Sequence, residues 1–430
     1  MRIAIVTIGS RGDVQPYVAL GMGLQAAGFG VRLAAHEEFE PFVRSHGLEF
    51  ASVSGNPREA MTTENGKQWL ESQSNPIKFL RGMKRLAEPT MWQTARDMMQ
   101  ATEDADLILA STLALFSAQS IGERLGVPVI AASPQPIITT RHFVSPAFPL
   151  PPAWLPFPQI YNRLSHPMAR KMMWTVFGDS INKIRADMLD LPPTRERAWT
   201  LHGDLLALLG YSEHVVPKPP DWGQSVHVTG YWFLDSARDY RPPAALAAFL
   251  DAGAPPVYVG FGSMANRNPE AIRTLVLQAL ERSGQRGILL TGWGGMSRAN
   301  LPDTVLQVDS IPHDWLFPRM AAVVHHGGAV TTAAGLRAGV PSIVIPFFAD
   351  QPFWAERVYR LGVGPKPIPR SRLTAGGLAD AIRAAVSDRE MQRRATSLGE
   401  KLRAEDGVAR AVEAIQREVE RGNIRVAERA

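Results

Sequence analysis

Apolar residues along this chain gather in short unbroken runs, not in alternation. Ile3 to Ile8, Val31 to Ala35, Leu107 to Ala110, Val129 to Ala132 and Val226 to Val228 are such runs in the first half. Val257 to Val259, Ile288 to Thr291, Val305 to Val308, Ala321 to His325 and Ser342 to Ile345 follow in the second. Runs of this length, rich in β-branched residues, predict strands buried on both faces of a parallel sheet. Longer segments between them carry helix signals. Pro16 suits a first helical turn, and the apolar pattern after it ends at Gly28. Thr331 and Thr332 open a helix that runs to Ala338, with Gly339 and Pro341 as its stop. Val408 to Arg421 is an amphipathic helix. A strand–glycine–serine opening occurs once in each half, at Gly9-Ser10 and Gly262-Ser263, and predicts two similar Rossmann-like α/β domains. The polar, proline-containing stretch Asp235 to Pro243 reads as the linker, so the domains span 1–235 and 236–407 and a terminal helix spans 408–430.

One region breaks this rhythm. From Arg141 to about Pro158 the chain is crowded with prolines and aromatics, among them Phe143, Phe148, Pro151, Pro152, Trp154 and Phe157. A helical stretch with Met172, Met173 and Trp174 follows. Such an insertion either lines an apolar pocket, meets a membrane surface with Arg163, Arg170 and Lys171 nearby, or closes the domain core as a packed loop.

Composition narrows the class. A chain of 430 residues with 45% hydrophobic and 20% charged residues is globular and too long for one ordinary core. The net charge of +5 is mildly basic, and no dense Lys/Arg block argues for nucleic acid. Zero cysteines exclude disulfides and thiolate metal sites, and fit a reducing compartment. The apolar run after Arg2 is too short for a signal peptide, and no run of about 18 apolar residues is present to span a bilayer. The expectation is a cytoplasmic protein, with peripheral membrane contact left open.

The segment from Ala321 to Gln351 concentrates the chemistry. Free N–H groups at a helix N-terminus, beside His326 and two threonines, suit an anion such as a diphosphate. His326, Gly328 and the backbone of Ala329, Val330 and Thr331 are the candidate phosphate contacts, with His325 mostly structural. Asp350 and Gln351 suit sugar hydroxyls, as acceptor and donor. Diphosphate and polyol together mean a nucleotide sugar. Ser10, Arg11, Gly12 and Ser263 in the two glycine turns are either diphosphate contacts or ordinary turn residues. Asp13 stands at the C-terminal end of the first strand. It is either a helix N-cap or the carboxylate that takes a proton from an attacking hydroxyl, and the roles can coexist. Asp104-Ala-Asp106 matches a metal-binding D-x-D, but precedes a buried strand and reads as a polar turn. The opening turn lacks the third glycine of a dinucleotide fingerprint, and only Glu37 offers itself as the ribose acid.

The signature from Ala321 to Gln351 resembles the donor-binding motif of family 1 glycosyltransferases with the GT-B fold. Gly9-Ser-Arg-Gly-Asp-Val-Gln-Pro16, Ile311-Pro-His-Asp-Trp-Leu-Phe-Pro318 and Leu361-Gly-Val-Gly-Pro365 resemble the branch that holds sterol glucosyltransferases and bacterial glycosyltransferases of glycopeptide and polyketide aglycones. Val330 departs from that branch, which usually carries a small residue or Asn there. The resemblance implies two Rossmann-like domains facing across a cleft, with acceptor in the first, donor in the second, and the final helix returning to the first. It implies Asp13 as general base, Ile311 to His313 holding the nucleobase through backbone groups, and Trp293 in place of the aromatic that plant members carry at the Ser310 position. It further implies inverting transfer with no metal and no cofactor, the nucleotide sugar (UDP- or TDP-linked, glucose foremost) being a co-substrate. Together with Phe143, Phe148, Trp154 and Phe157, it points to a lipophilic acceptor such as a sterol, triterpenoid or polyketide aglycone. The alternatives are a nucleotide-sugar epimerase or hydrolase on the same fold, and a nucleotide-sugar-binding protein without turnover.

Overall fold

A computed structural model describes residues 1–424 except 57–58, 60–62, 64, 67–68, 70–75, 153, 197–205, 237–239, 263–268, 291–300 and 423. The chain forms two compact units, Met1–Leu234 with Asp406–Ala430, and Asp235–Glu405.

The first unit runs β1 (Arg2–Val6), α1 (Arg11–Ala26), β2 (Gly30–His36), α2 (Glu40–Arg44), β3 (Glu49–Val53), α3 (Pro76–Thr102), β4 (Leu107–Ala110), α4 (Leu115–Leu125), β5 (Val129–Ser133), α5 (Pro158–Asp187), β6 (Ala207–Leu209) and β7 (Val226–Val228). Its seven strands lie in the order β3-β2-β1-β4-β5-β6-β7, every pair parallel. The second unit runs α6 (Ala244–Asp251), β8 (Val257–Gly260), α7 (Pro269–Ser283), β9 (Gly287–Leu290), β10 (Val305–Val308), α8 (His313–Leu316), β11 (Ala322–His325), α9 (Ala329–Ala338), β12 (Ser342–Val344), α10 (Gln351–Arg360), α11 (Ala375–Ser387) and α12 (Arg389–Arg403). Its sheet, β10-β9-β8-β11-β12, is also parallel throughout and has the same winding. In both units the strand order reverses beside the first strand, between β1 and β4 and between β8 and β11. Ligands of doubly wound folds bind at that switch point, outside the carboxyl ends of the strands.

The apolar runs become strands because both sheet faces are covered: β4 is buried along its whole length, as are β8 and β11. Two strands had no such run to mark them. β3 is an edge strand in which exposed Glu49 and Ser52 interrupt the apolar residues, and β6 is only three residues of Ala-Leu-Leu, a composition that reads equally as helix.

The first helix starts earlier than Pro16 suggests. α1 begins at Arg11, and Pro16 sits inside it, where it removes one bond to the Gly12 carbonyl. The buried face of Val14, Tyr17, Val18 and Leu24 carries the helix through that loss. The last helix, α13 (Gly407–Glu420), belongs to the first unit. Ala411, Val412, Ala414 and Ile415 join the core around Leu20 and Leu24. Contact with α1 is close enough that a Cβ on Gly23 would stand 2.2 Å from Val408 Cγ1.

Candidate functional site

In the second unit, β11 ends at His325, and the chain must turn at once to begin α9. Gly327 makes that turn at φ +92°, and a Cβ there would meet Val344 Cγ1 at 2.7 Å. His325 faces inward, fully buried, and its Nδ1 accepts from the Gly327 N–H at 3.1 Å. Burial pushes its pKa down to about 3, helped by the neighbouring His326 and His313.

His326 faces the other way. Its imidazole lies between two glycines: a Cβ on Gly262, in the turn after β8, would stand 2.9 Å from its Cε1, and one on Gly328 would stand 2.6 Å from its Nε2. Burial, and then the charge of His313, push the His326 pKa down to about 4. At neutral pH the ring is therefore uncharged and carries one N–H. Its Nδ1 is buried and has no hydrogen-bond partner among the described residues. Gly328 is the N-cap of α9, and the helix begins at Ala329. Thr331 and Thr332 therefore lie within the first turn and do not open it, which corrects the sequence expectation. Ala329 and Thr332 are buried, Val330 and Thr331 half-buried, and the Thr332 hydroxyl has no partner among the described residues. An imidazole N–H beside a helix N-terminus, at the switch point of a parallel sheet, has the chemistry to receive an anion.

Asp350 and Gln351 follow β12. Ala349 holds φ +55°, a conformation unusual for a residue with a Cβ, and this turn starts α10. Asp350 is half-buried and its Oδ2 accepts from Trp354 Nε1 at 2.9 Å. Gln351 is buried, and its Oε1 accepts from the backbone N–H groups of Phe347 at 2.8 Å and Phe348 at 3.3 Å. That oxygen is committed to its own loop. Gln351→Ala should remove the side-chain acceptor of the part-buried Phe347 N–H and cost about 1–3 kcal/mol. Urea unfolding measures this, and an unchanged midpoint would return Gln351 to a purely ligand-facing role.

The remaining donor candidates divide. Ile311 is buried in a cluster with Leu316, Phe317 and Val323. His313 opens α8 and stacks on Phe317 with ring centroids 4.3 Å apart. Ser263 and Trp293 lie outside the described residues.

In the first unit, the turn after β1 is built around Asp13. Ser10 is the N-cap of α1 and Asp13 the third helical residue, so Asp13 is not itself the cap. Its Oδ2 accepts from the Ser10 N–H at 2.8 Å and from the Ser10 hydroxyl at 3.1 Å, a capping-box arrangement. Gly9 has φ +132°, and a Cβ on it would stand 2.4 Å from that same oxygen. Gly9 is thus glycine both for its backbone and for the carboxylate packed on it. Thr7 Oγ1 donates to the Asp13 carbonyl at 2.6 Å. Gly12 is open to a side chain, with Ser10 Oγ the nearest atom at 3.9 Å. Arg11 turns its guanidinium over the Phe42 ring, 4.6 Å from the centroid.

A polar cluster beside this turn was not read from the sequence. The Ser111 N–H donates to the Val6 carbonyl at 2.9 Å, which puts the end of β4 next to the end of β1. Thr112 Oγ1 then meets Ser133 Oγ at 2.7 Å and donates to Gln135 Oε1 at 3.0 Å. The Ser111 hydroxyl is buried without a partner among the described residues. The available signal was hydroxyl and amide residues directly after two buried strands, Ser-Thr after Ala110 and Ser-Pro-Gln after Ala132.

The four aromatics of the irregular segment are not equivalent. Phe143 meets Trp222 edge-on at 5.8 Å and lies 6.2 Å from His166, while Phe148 packs on Tyr161 at 5.9 Å. Trp154 and Phe157 are 79% and 66% exposed. Asp104 and Asp106 sit at the opposite, N-terminal edge of the sheet. Asp104 accepts two bonds from Arg32, and Asp106 accepts from the Arg2 N–H at 2.6 Å. Among the described residues no cluster of His, Asp and Glu has the make-up of a metal site.

Residues 3–144 match the glycosyltransferase family 28 N-terminal domain, and residues 290–416 match the erythromycin biosynthesis protein CIII-like C-terminal domain. Two sterol 3-beta-glucosyltransferases of Arabidopsis thaliana are 39% and 40% identical over 421 and 426 residues, covering 96% and 97% of this chain. The chain spans 65% and 68% of those proteins' own lengths, and 27% of a sterol 3-beta-glucosyltransferase of Cryptococcus neoformans. Among solved structures, the glycotransferase of kitacinnamycin superposes with a TM-score of 0.69 at 20% identity, over 97% of this chain and 98% of that one.

Proposed function

Since the chain belongs to the GT-B glycosyltransferase family that holds the sterol 3-beta-glucosyltransferases, we propose that it transfers a sugar from a nucleoside diphosphate sugar to the hydroxyl of a lipophilic alcohol. UDP-glucose is the leading donor and a sterol or related polycyclic alcohol the leading acceptor. The observation that supports this reading is 39% and 40% identity, over 96% and 97% of this chain, to relatives of that name, in a chain whose two switch points carry a carboxylate and a helix N-terminus beside a histidine.

The roles follow from the geometry of each site. An acceptor hydroxyl loses its proton only as it attacks, and the Asp13 carboxylate, fixed by Ser10 and Gly9, is the base that takes it. Attack on the face of the anomeric carbon opposite the diphosphate inverts the configuration of an α-linked donor. Negative charge then grows on the leaving phosphate. The first turn of α9 and the His326 N–H meet it there, with no divalent ion needed. Asp350, half-buried at the end of β12, faces the sugar hydroxyls in this reading. Thr112, Ser133 and Gln135 offer hydrogen bonds for the acceptor hydroxyl, with Leu113, 51% exposed, as an apolar neighbour.

Incubation with UDP- and TDP-sugars and a panel of sterols, triterpenoids and polyketide aglycones, followed by mass and anomeric analysis, tests the proposal. A β-glycoside formed in the presence of EDTA is expected. Turnover of donor alone, with no alcohol consumed, would defeat it. His326→Ala is expected to weaken UDP binding by about 1.5–3 kcal/mol, the worth of a hydrogen bond to a charged group. Calorimetry reads this directly, and unchanged affinity would assign the imidazole to packing.

A further inference from the structure

Eight large hydrophobic side chains are exposed among the described residues, and five of them, Trp154, Phe157, Ile160, Leu164 and Met168, fall on one short segment. Phe157 is the N-cap of α5, and Ile160, Leu164 and Met168 continue from it at helical spacings of three and four, forming a single stripe. The opposite face is the polar one. Asn162 donates to the Arg141 carbonyl at 3.1 Å, the Ser165 hydroxyl accepts from the Ser145 N–H at 2.8 Å, and His166 Nε2 lies 3.2 Å from the Phe143 carbonyl. Asn162, Ser165, His166 and Ala169 are all buried. The start of α5 is therefore amphipathic in reverse, its hydrogen-bonding groups inward and its apolar groups outward. Exposing 53–79% of each of five large apolar side chains is unfavourable unless something apolar receives them.

The charge pattern says what receives them. No Asp or Glu occurs between Glu123 and Asp179, while Arg124, Arg141, Arg163, Arg170 and Lys171 do. Arg163 and Lys171 are exposed on α5 itself. An apolar stripe with an amphipathic Trp at its tip, flanked by cations and free of carboxylates, has the chemistry of an interfacial anchor on an anionic bilayer. No helix of the described residues is long and apolar enough to cross a membrane, so the contact is with its surface.

We propose that the stripe Trp154–Phe157–Ile160–Leu164–Met168 docks the first unit on anionic lipid, inserted to the depth of its side chains, with Arg163 and Lys171 at the headgroups. The proposal goes beyond sugar transfer, and its test needs no donor or acceptor. In flotation with phosphatidylglycerol/phosphatidylcholine vesicles, the wild-type chain is expected to rise with the lipid, and to do so far less with phosphatidylcholine alone. Replacing Ile160, Leu164 and Met168 together by Ser is expected to reduce the bound fraction at least about tenfold with no loss of melting temperature. Arg163→Glu with Lys171→Glu, which leaves the stripe intact, is expected to weaken binding by about tenfold or more and to remove its salt dependence. Three outcomes would overturn the proposal: a wild-type chain that stays with the aqueous phase, a triple variant that floats like wild type, or a wild-type dimer that the triple variant converts to monomer, which would assign the stripe to a second copy of the chain.

Discussion

Asp13→Asn is expected to lower the rate of sugar transfer by about 10²–10⁴-fold, the usual worth of general-base assistance. Folding and UDP affinity should stay close to wild type. The substitution is almost isosteric, and the amide oxygen can still accept from the Ser10 N–H, so the start of α1 keeps its cap. What it loses is the capacity to take a proton. Gly9→Ala approaches the same group from the other side. A Cβ at φ +132°, 2.4 Å from Asp13 Oδ2, has to displace the carboxylate, so transfer should fall although no polar group has been removed. If Asp13→Asn retains transfer within a factor of about three of wild type, the carboxylate is only part of a helix cap.

The fold was legible where the physics is local and repeated. A parallel strand covered on both faces needs an unbroken apolar run, and that is how β1, β2, β4, β5 and β8 to β12 announce themselves. β3 and β6 escaped because exposed polar residues interrupt an edge strand and a three-residue strand has no pattern of its own. Helix starts were less legible. α1 and α9 begin where a backbone turn ends, at Ser10 and Gly328, and not at the Pro or Thr that sequence statistics favour. For the candidate site, residue type singled out His326, and the structure adds what a sequence cannot carry: glycines on both sides of the ring and an Nδ1 with no partner among the described residues. Gln351 shows the opposite. An amide suits a sugar hydroxyl and a backbone N–H equally, and the turn at Ala349 brings two N–H groups to its oxygen. The Thr112–Ser133–Gln135 cluster is assembled from two strand ends, so only the pairing of β4 with β5 brings it together.

Lowering the pH from 7 to 5 is expected to cost both units stability, before most paired carboxylates begin to titrate. His325 and His326 in the second unit and His166 in the first are held uncharged by burial, with pKa values of about 3, about 4 and about 4. In the unfolded chain each returns to the usual value of about 6.5. Between those limits the unfolded chain binds more protons than the folded one, so unfolding becomes easier as the pH falls below about 6.5. Stability from these groups is thus complete above that pH and declines steadily until the folded values are reached. At pH 5 each histidine has shifted the balance by about 2 kcal/mol, a large share of the 5–15 kcal/mol that ordinarily separates folded from unfolded. In the second unit the two histidines adjoin, and a charge on one opposes a charge on the other; in the first, burial also lowers the pKa of His36 and His227 and adds to the loss. Two units need not melt together, so urea titrations at pH 7, 6 and 5 should be followed by probes in each. His166→Gln should reduce the pH dependence of the first unit, with His36 and His227 still contributing, and leave that of the second untouched. Equal urea midpoints at pH 7 and 5 would mean that these imidazoles are reached by water in the folded protein, and His326 would then meet a diphosphate as a cation rather than as a neutral donor.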